Sequence, residues 1–379
     1  MEKRLGEIAT YVNGYAFKPS DRGTKGLPIV RIQDLTGNSY NLGYYDGIYP
    51  EKIEINNGDI LISWSGSLGI YIWNRGKALL NQHIFKVVFD KGDVSKQYFV
   101  FAVQYKLQEM MAKTHGATMK HIVKKDFDNT LIPFPTPEIQ REIADILSKV
   151  NVIISARQKQ IKMLDKLIKA RFIEMFGDMF LNTMNWPEVK LDSIADIVSG
   201  ITKGRKIKGD KWIKVPYMAV SNVKDGYIDW TTVKTILATP SEIEQYHLMS
   251  EDILITEGGD PDKVGRGAII HNPPKDCIHQ NHIFRVRLRQ DFLLPEYMEQ
   301  YLQQQRSKRY FLRCAKQTTG IASINMRQLN SLPVLLPPIE LQKRFADFVI
   351  QTDKSKVAIK KSLEKAQLLF DCLMQKYFG

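Results

Sequence analysis

Pro135-Thr136-Pro137-Glu138-Ile139-Gln140-Arg141-Glu142-Ile143-Ala144-Asp145-Ile146-Leu147 returns near the end of the chain as Pro337-Pro338-Ile339-Glu340-Leu341-Gln342-Lys343-Arg344-Phe345-Ala346-Asp347-Phe348-Val349. Gln140 and Gln342, like Asp145 and Asp347, stand 202 residues apart, and the spacing holds without a gap to Phe176-Gly177 and Phe378-Gly379. One unit is written twice, and the chain is read as a tandem repeat before any fold is assigned.

In both copies a proline in the first turn, followed by Glu138 or Glu340, marks a helix start. Stepping by four and three, the first helix has the seam Ile143, Leu147, Val150, Ile154, Arg157, Ile161, Leu164, Ile168, Arg171, Met175. The second has Phe345, Val349, Thr352, Lys356, Ile359, Leu363, Ala366, Phe370, Leu373, Tyr377. Eight of ten positions are apolar in each, with no Gly or Pro inside, which is a coiled-coil pattern. Residues 138–176 would make a rod of roughly 60 Å. The connection 177–190, with Gly177, Asn182, Asn185 and Pro187, is too short to return a parallel partner, so the pair is expected to be antiparallel. Arg157, Arg171, Thr352 and Lys356 would either set the register or reach to the edge of the seam.

Upstream of each helix the copies also correspond. Leu5-Gly6-Glu7-Ile8-Ala9 matches Leu191-Asp192-Ser193-Ile194-Ala195, 186 residues on. Runs rich in β-branched and aromatic residues follow and predict strands: 27–32 with 215–220, 58–63 with 251–256, and 81–87 with 280–286. The separation drifts from 188 to 193 to 199 to 202, as expected if strands keep their pattern and loops take insertions. Tyr98–Lys113 and Pro295–Cys314 have helical spacing, and each leads into a polar loop.

With 379 residues, 44% of them apolar and 25% charged, the chain suits two globular domains. No run of 18 apolar residues occurs and no apolar leader follows Met1, so neither secretion nor membrane spanning is expected. Cys277, Cys314 and Cys372 are scattered, which fits a reducing cytoplasm and offers no metal cage. The net charge is +13, with 25 Lys/Arg against 19 Asp/Glu in residues 1–180 and 29 against 22 in the rest. An excess divided so evenly points to polyanion binding by both halves.

No catalytic constellation emerges. Asn272-Pro273-Pro274-Lys275 resembles the tetrapeptide of amino-methyltransferases, but Lys275 stands where an aromatic ring must stack on the base, and the motif reads as a turn. Asp260-Pro261-Asp262-Lys263 lacks the second carboxylate and lysine of a nuclease metal site. Arg75-Gly76-Lys77-Ala78 lacks the first glycine and the hydroxyl of a phosphate loop. Binding chemistry remains. Lys18, Arg22 and Lys25 in one charged loop, and Lys203, Arg205, Lys206 and Lys208 in the other, suit phosphate contact. Ser63, Ser65 and Ser67 leave a strand with small hydroxyls, and the longer counterpart loop carries Lys263 and Arg266. Gln82, His83, Asn281 and His282 are placed either to read base edges or to satisfy turn backbone. Thr118, Lys120, Thr319 and Ser323 in the polar loops complete the set. An ordinary solvated loop is the competing reading for each.

The ordered elements resemble the specificity subunit of type I restriction-modification systems. The resemblance rests on Gly58-Asp59-Ile60-Leu61-Ile62, on the amides before the apolar strand, on Pro337-Pro338-Ile339-Glu340-Leu341-Gln342, and on the duplication; it covers essentially the whole chain. Copy one departs from the pattern at Thr136-Pro137, and copy two at Glu251, where glycine is usual. The resemblance implies an α+β chain: two tandem α/β target recognition domains (1–135 and 181–337), separated by conserved spacer helices (136–180 and 338–379) that pair as an antiparallel coiled coil. It implies a chain that is not itself an enzyme and reads a bipartite, asymmetric double-stranded DNA site. Its spacer helices and adjoining surfaces would dock two methyltransferase subunits, with restriction/translocase subunits where present; Glu138, Gln140, Ile143, Leu147, Glu340, Gln342, Phe345 and Val349 are the residues assigned to partner docking or to the spacer helices. No cofactor or metal is expected in this chain; S-adenosylmethionine, ATP and Mg belong to the partners. The rival readings are a coiled-coil scaffold with protein-binding end domains and the recognition region of a split methyltransferase-nuclease.

Overall fold

The computed structural model describes residues 1–37, 43–113, 122–205, 211–260, 263–318 and 320–379. The two long helices run over Pro137–Phe176 and Ile339–Phe378, 40 residues each. Contacts divide the chain into two compact units, Met1–Gln158 with Lys360–Gly379, and Lys159–Ile359. The division falls inside the helices because each unit is completed by helix from the other copy. In the first unit Ile143, Leu147, Val150 and Ile154 share a core with Phe370, Met374 and Phe378. In the second, Ile168, Phe172, Met175 and Phe176 share one with Phe345 and Val349. The start of one helix thus meets the end of the other in both units, and the pairing is antiparallel.

The first unit has a four-stranded sheet in the order Thr10–Asn13, Ile84–Val88, Ile60–Ser63, Gly69–Ile72. The second repeats it as Ala195–Ser199, Ile283–Leu288, Ile253–Thr256, Gly267–Ile269. A mixed sheet accompanies each: Gly43–Tyr45, Leu27–Val30, Ala78–Leu80, Glu54–Ile55 in one, and Lys234–Ala238, Ile213–Met218, Ile278–His279 in the other. The strand pairs Leu27–Val30 with Ala78–Leu80 and Ile213–Met218 with Ile278–His279 are parallel. Short antiparallel pairs, Glu2–Arg4 with Leu131–Pro133 and Glu188–Lys190 with Pro333–Leu335, bring the start of each domain to the foot of its helix. Gly58 takes φ +89°, and Glu251 in the second copy keeps that left-handed conformation at φ 73° despite its side chain, a strain of order 1 kcal/mol or more. The predicted helix over Pro295–Cys314 is broken into Pro295–Leu302 and Gln305–Cys314. Gln304 is extended at φ −74°, ψ 155° there, and Ser307 Oγ donates to the Tyr301 carbonyl at 2.8 Å, so the break leaves that helix-end acceptor satisfied.

Aromatic side chains knit each helix end to the sheet domain of the other copy. Phe378 lies 5.3 Å from Tyr98, and Phe101 lies 6.0 Å from Phe370, in the first unit. In the second, Phe176 lies 4.8 Å from Tyr297 and 5.5 Å from Phe345. Tyr98 donates its hydroxyl to the Pro133 carbonyl at 2.7 Å, and Tyr297 does the same to Leu335 at 2.8 Å. Each such buried ring contributes about 1.5–3 kcal/mol through area removed from water.

Six of the residues assigned to partner docking or to the spacer helices lie inside these cores, which excludes the docking role for them. Ile143, Leu147, Phe345 and Val349 are buried within their own units because the sheet domains cover that face of the helices. Gln140 and Gln342 are fully buried. Gln140 accepts the Ser95 N–H at 3.0 Å, at the start of helix Lys96–Lys113, and donates to the Pro135 carbonyl at 2.9 Å. Gln342 accepts the Leu294 N–H at 2.9 Å and donates to the carbonyls of Phe292 and Pro337, both at 2.9 Å. An amide supplies the donor and the acceptor that both tasks need, which accounts for its presence in both copies. Glu138 and Glu340 remain exposed.

All the predicted seam residues are buried or half-buried. The polar ones are accommodated differently. Thr352 Oγ1 donates to the Phe348 carbonyl at 2.8 Å, and Arg171 lies 5.7 Å over the Phe348 ring. Lys356 Nζ sits 2.8 Å from Asp165 and 3.0 Å from Asp353, a pairing across the helices that favours one register. Burial pulls Lys356 down, but the two carboxylates outweigh it and its pKa is raised. By repeat offset Lys356 corresponds to Ile154 and Glu299 to Val100, both buried in the first unit. Glu299 accepts the Ile269 N–H at 2.9 Å. Burial first, then the Asp353 and Glu296 carboxylates, push Glu299 up to about 7, against the pull of Ile269 and Lys356.

Gln342→Ala strands an N–H and two carbonyls and is expected to cost roughly 2–4 kcal/mol in urea unfolding. For Glu299 the folded chain favours the acid form, so its contribution is fullest below the ordinary value of 4.5 and is lost as pH rises through about 7. Glu299→Gln keeps an acceptor for Ile269 and is expected to flatten that part of the stability profile, measured by urea unfolding across the same pH range.

Candidate nucleic-acid interface

The strand registers bring the candidate loops together at one end of the four-stranded sheet in each unit. In the first, Asn13 pairs with Phe85, Ser63 with Ile84, and Ser63 with Gly69. The turn at 81–83 and the loop 64–68 therefore leave from the same edge. Gln82 donates its backbone N–H to Tyr15 at 2.9 Å, which brings in the start of the loop carrying Lys18, Arg22 and Lys25. Ile122 donates to the Trp64 carbonyl at 3.0 Å, which brings the segment entering helix Lys124–Asp128 to the same place.

The second unit repeats the construction. Ser199 pairs with Phe284, Thr256 with Ile283, and Ile255 with Gly267. Asn281 donates its backbone N–H to Ile201 at 3.0 Å, and Ile324 donates to Glu257 at 2.8 Å. Gly258 and Gly259 pair with Ser323 and Ala322, so the hairpin of Lys316–Thr318 and Ile321–Ser323 joins this sheet end. The convergence of four chain segments depends on register and is invisible in any one of them.

Not every candidate reaches solvent. Lys18, Arg22, Lys25, Ser67, Gln82, Lys203, Lys263 and His282 are exposed. His83, Arg266, Asn281 and Ser323 are half-buried. Asn281 turns its carbonyl to the Ser199 hydroxyl at 2.8 Å, and Arg266 turns its own to the Thr256 N–H at 3.0 Å. Thr118, Lys120, Lys206, Lys208 and Thr319 lie outside the described residues.

Three candidates are corrected. Ser63 is fully buried, and its hydroxyl donates to the Ser67 carbonyl at 2.6 Å, closing the loop from inside. Ser65 is buried as well. Arg205 forks onto Glu242, with Nε and Nη2 each 2.7 Å from a carboxylate oxygen, and Nη2 also reaches the Leu237 carbonyl at 2.9 Å. A guanidinium held in this way is neutralised within its own domain. The Arg205 bond holds Glu242 below the usual carboxylate range and raises Arg205 in return. Lys263 is paired with Asp260, whose pKa that bond lowers.

Sequence reasoning passed over Trp64 and Glu257. They stand 193 residues apart at the same place in the repeat, immediately after the matched strands. The unlike residues at that place were the available signal. Trp64 stacks on Phe85 with centroids 5.7 Å apart, and His83 meets it edge-on at 5.0 Å. Among the described residues no group of three His, Cys, Asp or Glu could hold a metal ion, and no helix is long and apolar enough to cross a membrane.

The geometry separates Lys203 from Arg205. Lys203→Ala is expected to weaken DNA binding across sequences and to lower the slope of log affinity against log salt by about 1. Arg205→Ala is expected to reduce stability. That loss shrinks as pH falls through the depressed Glu242 pKa, because the pair contributes above the unfolded carboxyl value and is lost on protonation. Salt-titrated binding and pH-dependent unfolding check the two.

The chain matches the family model described as type I restriction modification DNA specificity domain over residues 1–163 and 184–369. It is 23% identical to the EcoBI specificity subunit of Escherichia coli over 410 residues, covering 99% of this chain and 84% of that one. It is 26% identical to the MjaVIII specificity subunit of Methanocaldococcus jannaschii, covering 84% and 79%. A solved S subunit from M. genitalium shares the fold with a TM-score of 0.57 at 16% identity, covering 100% and 96%. A chain from a solved structure on type I R-M complex assembly and conformational transition does so with 0.57 at 18%, covering 100% and 97%. With two copies of the family domain spanning most of its length, this chain belongs to the type I restriction-modification DNA specificity family.

Proposed function

We propose that this specificity subunit reads a bipartite, asymmetric double-stranded DNA site, one half through each sheet-end surface, and directs methyltransferase subunits to it. The observation that carries this is the duplicated frame with unlike loops: the same registers recur in both units, while the side chains displayed there differ. Two readers of one design with different side chains suit two different half-sites. The even basic excess supplies phosphate attraction to both.

Recognition is this chain's task, and methylation and cleavage belong to partner subunits. S-adenosylmethionine, ATP and Mg are proposed to be held there, in a cytoplasmic assembly. With Ile143, Leu147, Phe345 and Val349 committed to the cores, docking falls to exposed positions. Glu138 and Glu340 qualify, as do Val152 and Leu368 in the first unit and Met163 and Val357 in the second.

Exchange of residues 191–337 for the corresponding stretch of a relative tests the reading. Methylation-sensitive long-read sequencing of host DNA is expected to show one half-site changed and the other kept. A change in both halves, or in neither, contradicts it.

A further inference from the structure

The two sheet ends hold one position alike and fill it differently. In the first unit the Trp64 N–H donates to the His83 carbonyl at 3.2 Å, and the Trp64 carbonyl accepts from Ile122 at 3.0 Å. In the second the Glu257 N–H donates to the His282 carbonyl at 3.0 Å, and the Glu257 carbonyl accepts from Ile324 at 2.8 Å. The same backbone bonds therefore frame an indole in one unit and a carboxylate in the other. Glu257 keeps 32% of its side chain exposed, and its Oε2 lies 2.5 Å from Nδ1 of His282, which is 55% exposed.

A carboxylate is poorly suited to a phosphate-facing surface, and the same sheet end carries the exposed Lys203 and Lys316. Asp260, nearby in the chain, is neutralised by Lys263. Glu257 is bound through one oxygen to a histidine that is itself exposed, which fixes the carboxylate's orientation and leaves Oε1 as an acceptor. The major groove offers two amino donors, cytosine N4 and adenine N6, and a carboxylate suits cytosine N4 because adenine N6 is flanked by the N7 acceptor.

We infer that Glu257, oriented by His282, reads a cytosine N4 amino group in the half-site taken by the second unit, while Trp64 presents a different surface at the equivalent place in the first. Glu257 is then a specificity-determining residue and His282 a positioning residue. The inference rests on the proposed function and names one contact within it.

The test uses the full chain assembled with its methyltransferase subunits, with binding measured on DNAs that vary each base pair of the second half-site. Glu257→Gln is expected to lose the preference for cytosine at one position by on the order of ten-fold, moving towards adenine, which an amide suits. Glu257→Asp keeps the carboxylate and is expected to retain cytosine. The first half-site stays unchanged in both variants. An unaltered second half-site in Glu257→Gln, equal weakening on every sequence, or the same loss in Glu257→Asp overturns the inference and leaves bipartite reading standing. Unfolding of the isosteric Glu257→Gln variant also overturns it, since the residue would then be structural. If the unsubstituted assembly reads no bipartite site, the proposed function and this inference fail together.

Discussion

The interaction on which the rest depends is the burial of each copy's helix end in the other copy's recognition domain. Phe378 packs on Tyr98 in one unit and Phe176 on Tyr297 in the other. Neither core is complete with its own copy alone. Because the aromatic rings are among the largest fully buried side chains, their removal from water is a leading contribution to each unit. The antiparallel direction of the helices follows from the same fact, since only that direction delivers the end of one helix to the start of the other.

The buried amides tie this packing to the recognition domains. Gln140 and Gln342 each join the helix entry to the N-terminus of a domain helix by a donor and an acceptor. A spacer built in this way cannot rotate freely against the reader it carries. The second unit departs from the first at Lys356 and Glu299, where charge replaces Ile154 and Val100. The Lys356–Asp165 contact pairs unlike helices and adds register where the first unit relies on apolar packing.

A framework held by burial and backbone hydrogen bonds leaves its loops free to differ. The registers at the sheet ends recur in both units, whereas position 64 or 257 carries an indole in one and a carboxylate in the other. This division suits a chain built as two copies of one frame that display unlike side chains.

Much of the fold was legible in the chain itself. The repeat of Gln140 at Gln342, the apolar seam and the strands ending at Ser63 and Thr256 are local or periodic signals, and periodicity survives without tertiary context. The candidate site was only partly legible. Ser63 and Arg205 read as phosphate ligands but are taken up inside their domains, and Gln140 and Gln342 read as docking residues but are sealed in the core. Whether a polar side chain faces a partner or its own backbone depends on which distant strand or helix covers it, and neither composition nor spacing records that. The sequence by itself determined the duplication, the helices and the family; only the tertiary structure decided which residues the sheet ends display, because strand register gathers loops that lie far apart along the chain.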